Sequence, residues 1–214
     1  ANSIILVEDS DTAKLCHTGW HGLIDSLSNE QTSIIYYRNI GYSKPSDMHN
    51  WLALRPRYFS ACDQSVFDTS SGHSKIPNID YPEIIGKARS LAAELLREYK
   101  EADPLSLYRI EYHNISVGKY VASHILRFHP ELIHHFRPSR ELIAANLEQL
   151  CSHIVFVDAL IAAGNISYAF LSETVYLAGA VVEQLVLSGA KMPYLFYPTQ
   201  VTLDLDNCAP VHSG

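Results

Sequence analysis

Two titratable side chains in this chain sit where an apolar run gives way to a helical pattern. One is His113, in EYHNISVGKY (111–120); the other is Glu173, in FLSETVYLAG (170–179). Either could accept a proton from a ligand hydroxyl, a role worth about 10²–10⁴ in rate. Asn114 and Ser116 add an amide and a hydroxyl. Gly118, lacking a side chain, lets a ligand approach the backbone, and Tyr176 lies three residues beyond Glu173. Asp9 and Ser10 close the first apolar run, IILV, and complete the set of candidate binding residues. Each catalytic assignment has a plainer counterpart. Glu173 can serve as an acid at a helix start, favoured by the dipole there. His113 can serve as a turn residue tolerating an unusual backbone angle.

Other chemistries are excluded by what the spacing lacks. IILVEDSDTAKL resembles the start of a response-regulator receiver, but NWLALRPRYFSACD (50–63) offers no phospho-accepting aspartate in the required setting. No GxGxxG or GxxxxGK[ST] occurs, and the acids after the first run would repel a pyrophosphate, so a dinucleotide-binding dehydrogenase is not expected. The absence of GxSxG leaves Ser116 and Ser172 outside any nucleophile elbow. The 11 histidines include the pairs His17/His21 and His129/His134 and the neighbours His134–His135, yet no HExxH accompanies them, so neither a metal nor another cofactor is expected. Cys16, Cys62, Cys151 and Cys208 form no CxxC. Cys16 and Cys151 fall within helical apolar patterns, as small core residues do. The default compartment is then the reducing cytoplasm, and the sequons at Asn114 and Asn165 are fortuitous.

With 16 Lys+Arg against 23 Asp+Glu over 214 residues, the net charge of −7 argues against a nucleic-acid partner. At 47% hydrophobic the chain is globular rather than disordered, and no apolar run is long enough for a transmembrane segment. Acids follow the start too closely for a signal peptide. A start at Ala1 rather than Met suits a processed chain or a piece of a longer one.

The elements that must position these residues follow from periodicity. SIILVED (3–9) predicts a buried strand, 11–29 a helix bearing Cys16, Trp20, Leu23 and Leu27, and SIIYYRN (33–39) a second strand. Residues 40–80 are rich in loop formers, with room for one short strand or helix. Ile84, Ile85, Ala88, Leu91, Leu95 and Tyr99 predict a helix over 81–101, started by Asp80 and Glu83. LSLYRIEYH (105–113) alternates as a strand does, and Ser116 then caps a helix striped by Val117, Tyr120, Val121, His124, Ile125 and Phe128. HPELIHHFRP (129–138) reads as a turn with a helical piece inside. Ile143, Leu147, Leu150, Ile154, Val157 and Ile161 step by three and four, predicting one helix over 139–163 between Ser139 and Gly164. ISYAFLS (166–172), 174–189 and MPYLFYP (192–198) complete a strand–helix–strand unit. The fold class is therefore α/β, Rossmann-like: a mostly parallel sheet of five to seven strands with helices on both faces. Residues 1–198 form one domain, and 199–214 an irregular tail or the start of a linker.

Three stretches carry a family resemblance. EYHNISVGKYVASHILR (111–127), with its tyrosine–x–x–Ile–x–x–Gly run into a helix and an arginine, the long helix 139–163, and FLSETVYLAGAVVEQLVLSGAKMPYLFY (170–197) are together similar to the N-terminal half of GT-B-fold glycosyltransferases of the bacterial surface-polysaccharide type. The resemblance covers 100–198 best. It implies a domain that binds a saccharide acceptor and partners a C-terminal nucleotide-sugar-binding domain, and that is not competent to transfer a sugar alone. A non-catalytic Rossmann-like ligand-binding or regulatory module is the alternative. If the strands 105–113 and 166–172 are neighbours, about 5 Å apart, then His113, Asn114, Ser116, Gly118, Glu173 and Tyr176 line one cleft at the carboxyl edge of the sheet.

Overall fold

Ile4 to Val7 are four consecutive aliphatic residues, a pattern suited to a strand covered on both faces. A computed structural model describes residues 3–8, 20, 23–29, 31–37, 81–171, 174–192, 194–196 and 200–202, and shows that arrangement. Strand β1 (Ser3–Glu8) is the middle of a parallel sheet of order β2-β1-β3, between β2 (Thr32–Tyr37) and β3 (Asn165–Phe170). Its residues Ile4 to Val7 are almost wholly buried. Ser3 to Glu8 pair in register with Thr32 to Tyr37, whereas the pairing with β3 slips once between Ile4 and Ile5. The outer edge of β3 is extended by Lys191, whose N–H donates to the Ser167 carbonyl and whose carbonyl accepts from the Ala169 N–H, each at 2.9 Å.

Alternation along β1 sends its side chains to two separate cores. Ile5 and Val7 pack with Trp20, Ile24 and Phe170, below a helical stretch that includes residues 23–27. Ile4 and Leu6 belong to the larger core, filled by helices α1 (Tyr81–Leu96), α2 (Val117–Phe128), α3 (Arg140–Ala163) and α4 (Tyr176–Leu187). The parallel sheet thus has helices on both faces.

Helix α3 is the largest contributor, and its sequence signals are met. Ser139 Oγ accepts from the Leu142 N–H at 3.2 Å, Gly164 follows the last turn, and Ile143, Leu147, Leu150, Ile154 and Val157 are fully buried. Cys151 on the same helix is a buried free thiol. Gly189, with φ +88°, ends the excursion after α4, a backbone state glycine adopts without strain.

Three expectations are corrected. The segment read as a strand, 105–113, contains a 3-10 helix (Pro104–Arg109) followed by a tight turn. Leu107 and Ile110, three apart, are its fully buried residues, while Leu105 is exposed, so the segment buries at a 3-10 spacing and not by alternation. Helix α1 stops at Leu96 rather than near 101; the Leu96 carbonyl accepts from Arg140, and the chain turns so that the Tyr99 hydroxyl donates to the Pro138 carbonyl. Strand β4 (Tyr194–Phe196) pairs antiparallel with β5 (Gln200–Thr202) instead of joining the parallel sheet, which is reached by Lys191 alone. Strand β5 also lies in the stretch read as an irregular tail. Among the described residues the parallel sheet has three strands. The expectations for 11–19 and 40–80, Asp80 included, lie outside the described residues.

Candidate functional site

In an open parallel sheet, ligands bind beyond the carboxyl ends of the strands where the strand order reverses. Here the reversal falls at β1 and β3. The chain passes from β1 to β2 on one side, then returns past β1 to β3 by way of α1, α2 and α3. Glu8 ends β1, with Asp9 and Ser10 next in sequence. Phe170 ends β3, and Ser172 and Glu173 follow before α4 starts at Tyr176. Asp9, Ser10 and Glu173 lie outside the described residues.

Helices α2 and α4 run antiparallel, which decides what else reaches this edge. The Ser116 N–H, at the front of α2, donates to Glu183 in the last turns of α4; at the other end, the Arg127 guanidinium lies 4.4 Å over the Tyr176 ring. The C-terminal turns of α2 therefore stand beside the first turn of α4. His124 presents its ring edge to Tyr176 at 6.5 Å between centroids and tilts against Phe128 at 4.7 Å. Burial drives the His124 imidazole down to about 4, Arg127 adds to the effect, and its Nδ1 has no hydrogen-bond partner. The ring is neutral at pH 7. Tyr176 has φ +54°, a conformation costing about 1–3 kcal/mol in a non-glycine residue and concentrated at functional sites. Val175, at the N-cap position of α4, has no side-chain hydrogen bond to offer that helix.

The group around His113 assembles elsewhere. Tyr112 and Ile115 exchange backbone hydrogen bonds of 3.0 and 2.8 Å across His113 and Asn114, whose φ angles are +49° and +67°. That is the geometry of a two-residue hairpin turn, so the unusual backbone angle foreseen for His113 is present. The exposed His113 ring stacks on Tyr112, with centroids 4.0 Å apart and planes inclined by 18°. Behind them lies Asp158. Burial raises its carboxyl group above the ordinary range, opposed by hydrogen bonds from Gln184 and Tyr112 and by the nearby charge of His113. Gln184 Nε2 donates to Asp158 Oδ1 at 2.8 Å and to the Ile154 carbonyl at 3.0 Å, tying turn, α3 and α4 together.

Ser116 is at the N-cap of α2 but does not cap it with its hydroxyl. Glu183 takes both the Ser116 N–H (Oε2, 3.1 Å) and its Oγ (Oε1, 3.5 Å), so α4 caps α2 from outside. The Tyr120 hydroxyl joins this carboxylate; burial first, and Glu183 second, push it up to about 12. Gly118 serves the fold rather than a ligand. A Cβ there would lie 1.7 Å from the Leu107 carbonyl oxygen, and its N–H donates to Ile110 at 2.9 Å.

His113, Asn114, Ser116 and Gly118 thus stand at the start of α2, and Tyr176 beside its end. Twelve residues at 1.5 Å each separate them by about 18 Å. The described members of the set therefore do not line one cleft. The premise was a strand over 105–113 beside β3, and that segment is a turn feeding a helix that runs the opposite way to α4.

Two residues that the motif reading passed over are placed by the structure: Glu8 at the carboxyl end of β1 and His124 beside the first turn of α4. His124 was legible only as a member of an apolar stripe, and Glu8 only as the acid closing IILV. Among the described residues, no group of three or more His, Cys, Asp or Glu side chains is placed to hold a metal ion, and no helix is long and apolar enough to cross a membrane. Comparison with protein-family models, curated proteins and solved structures gives no match.

Proposed function

We propose that this chain is a ligand-binding α/β domain whose ligand sits beyond the carboxyl ends of β1 and β3, and that it is the acceptor-binding half of a glycosyltransferase. Such an enzyme moves a sugar from a nucleotide-sugar donor to a saccharide acceptor, with the donor held by a second, C-terminal domain. One observation carries the location: the parallel order β2-β1-β3 reverses between the two strands that lead into Asp9–Ser10 and Ser172–Glu173. The resemblance of 111–127 and 170–197 to GT-B acceptor domains supplies the substrate class, and a sheet of five to seven strands belongs to the same reading. Within it, Glu173 accepts the proton of the attacking hydroxyl, Asp9 and Ser10 contact the acceptor, and Tyr176 borders the crevice. His113, at the far end of α2, takes no part in that step.

Saturation-transfer NMR with neutral trisaccharides (maltotriose, cellotriose and chitotriose) tests the proposal on the chain as it stands. Saturation transfer that Asp9→Asn weakens is the expected result. A nucleotide or other small ligand bound in the crevice in place of saccharides would favour the non-catalytic regulatory module. In the parent reading frame, a second α/β half after residue 214 is expected, and an unrelated output domain would refute the transferase assignment.

A further inference from the structure

Among the described residues, three that are not glycine have left-handed backbone: His113 and Asn114, with φ +49° and +67°, and Tyr176, with φ +54°. They are not scattered. His113 and Asn114 form the turn at the front of α2, and Tyr176 opens α4 beside the end of α2. All three therefore lie at the two ends of one antiparallel helix pair. Backbone held in that region costs free energy, persists only where its surroundings fix it, and gathers at sites and switches.

The contacts that fix it run between the helices. At one end Glu183 of α4 accepts the Ser116 N–H at 3.1 Å, a cap that α2 does not supply from its own side chain. The Tyr112 hydroxyl, just before the turn, donates to Asp158, which also accepts from Gln184 of α4 at 2.8 Å. At the other end Arg127 of α2 lies 4.4 Å over the Tyr176 ring, and Val175 gives α4 no side-chain cap. Between the ends the helices touch, because a Cβ at Gly179 would stand 2.3 Å from the Tyr120 ring. Helices packed this closely shift as units, by about 1–2 Å, rather than deforming continuously. A shift of α2 along α4 thus alters both ends together.

We propose that α2 and α4 form a two-state coupling device linking the exposed turn at 113–114 to the border of the crevice at Tyr176. In the locked state, the one described above, Glu183 holds Ser116, Arg127 covers Tyr176 and all three residues are left-handed. In the released state α2 moves along α4, the Ser116 N–H leaves Glu183, Arg127 leaves the ring, and the three residues relax. A partner engaging the turn then changes the crevice border, and by linkage a ligand at Tyr176 changes the turn to the same extent. The device does not depend on the acceptor reading.

Amide hydrogen exchange of the full chain, followed by NMR, tests it without any ligand. The Ile115 N–H reports the turn, and the His129 N–H, donating to the Ile125 carbonyl at 2.8 Å, reports the end of α2. The Leu150 N–H, within α3, reports global opening. Arg127→Gln uncovers Tyr176 about 18 Å from the turn. It should speed exchange at Ile115 about fivefold or more, the low end of ordinary couplings, with Leu150 unchanged. Arg127→Lys, which keeps the cation, should restore most of the protection. Reciprocally, His113→Asn with Asn114→Gly relieves the strain of the turn and should slow exchange at His129 by a similar factor. A change confined to the end that carries the substitution overturns the proposal. So does an equal change at Leu150, which marks a shift in global stability alone, and either outcome leaves the acceptor reading standing.

Discussion

His124 makes the acid limb of this protein's stability curve predictable. The residue is 4% exposed, and burial, helped by Arg127, lowers its imidazole from 6.5 to about 4. In the unfolded chain the same ring protonates near 6.5. Between those values the unfolded state binds a proton that the folded state refuses, so stability falls as the pH falls through this window. Above 6.5 the ring is neutral in both states and exacts nothing. At about 1.4 kcal/mol per pH unit, the gap amounts to about 3 kcal/mol once pH 4 is reached. Urea denaturation at pH 7.0, 5.5 and 4.5 measures this directly. Carboxylates also titrate at the lower end, so the informative quantity is the difference between wild type and His124→Leu, which lacks the titrating group. That difference should shift in favour of the variant by about 3 kcal/mol between pH 7 and 4. The imidazole resonances of His124 should remain those of a neutral ring at pH 5. Parallel pH profiles for the two proteins would refute the reasoning, because a ring that stays solvated cannot produce the slope.

Three further outcomes are expected. Gly118→Ala places a Cβ 1.7 Å from the Leu107 carbonyl oxygen, a backbone atom that cannot step aside alone, and should cost about 3 kcal/mol or more in urea denaturation. Glu183→Gln should bring the Tyr120 hydroxyl down from about 12, as read by ultraviolet titration, yet leave it above 10 because burial is the larger cause. Replacing His113 and Asn114 by Asn and Gly converts the turn to the pair that positive φ at both positions favours, and should raise stability by about 1 kcal/mol if the turn serves the fold.

The elements whose signals are local were readable from the sequence. The three-and-four stepping of Ile143 through Val157, with Ser139 before and Gly164 after, sufficed for α3, because helix hydrogen bonds and caps involve near neighbours. IILV and SIIYY sufficed for β1 and β2 for the same reason. Tertiary structure decided the rest. Leu105, Leu107 and Arg109 alternate on paper, but the pocket against α2 accepts Leu107 and Ile110, and the chain coils into a 3-10 helix. MPYLFYP is strand-forming, yet which edge it pairs with depends on a partner strand that begins four residues after β4 ends rather than on its own pattern. The site depended most heavily on such long-range choices. His113 and Glu173 each follow an apolar run, and nothing in either segment records whether those runs lie side by side or pass in opposite senses. The direction of α2 settles that, through Glu183 at one end and Tyr176 at the other, contacts across 67 and 49 residues of chain that no local pattern encodes.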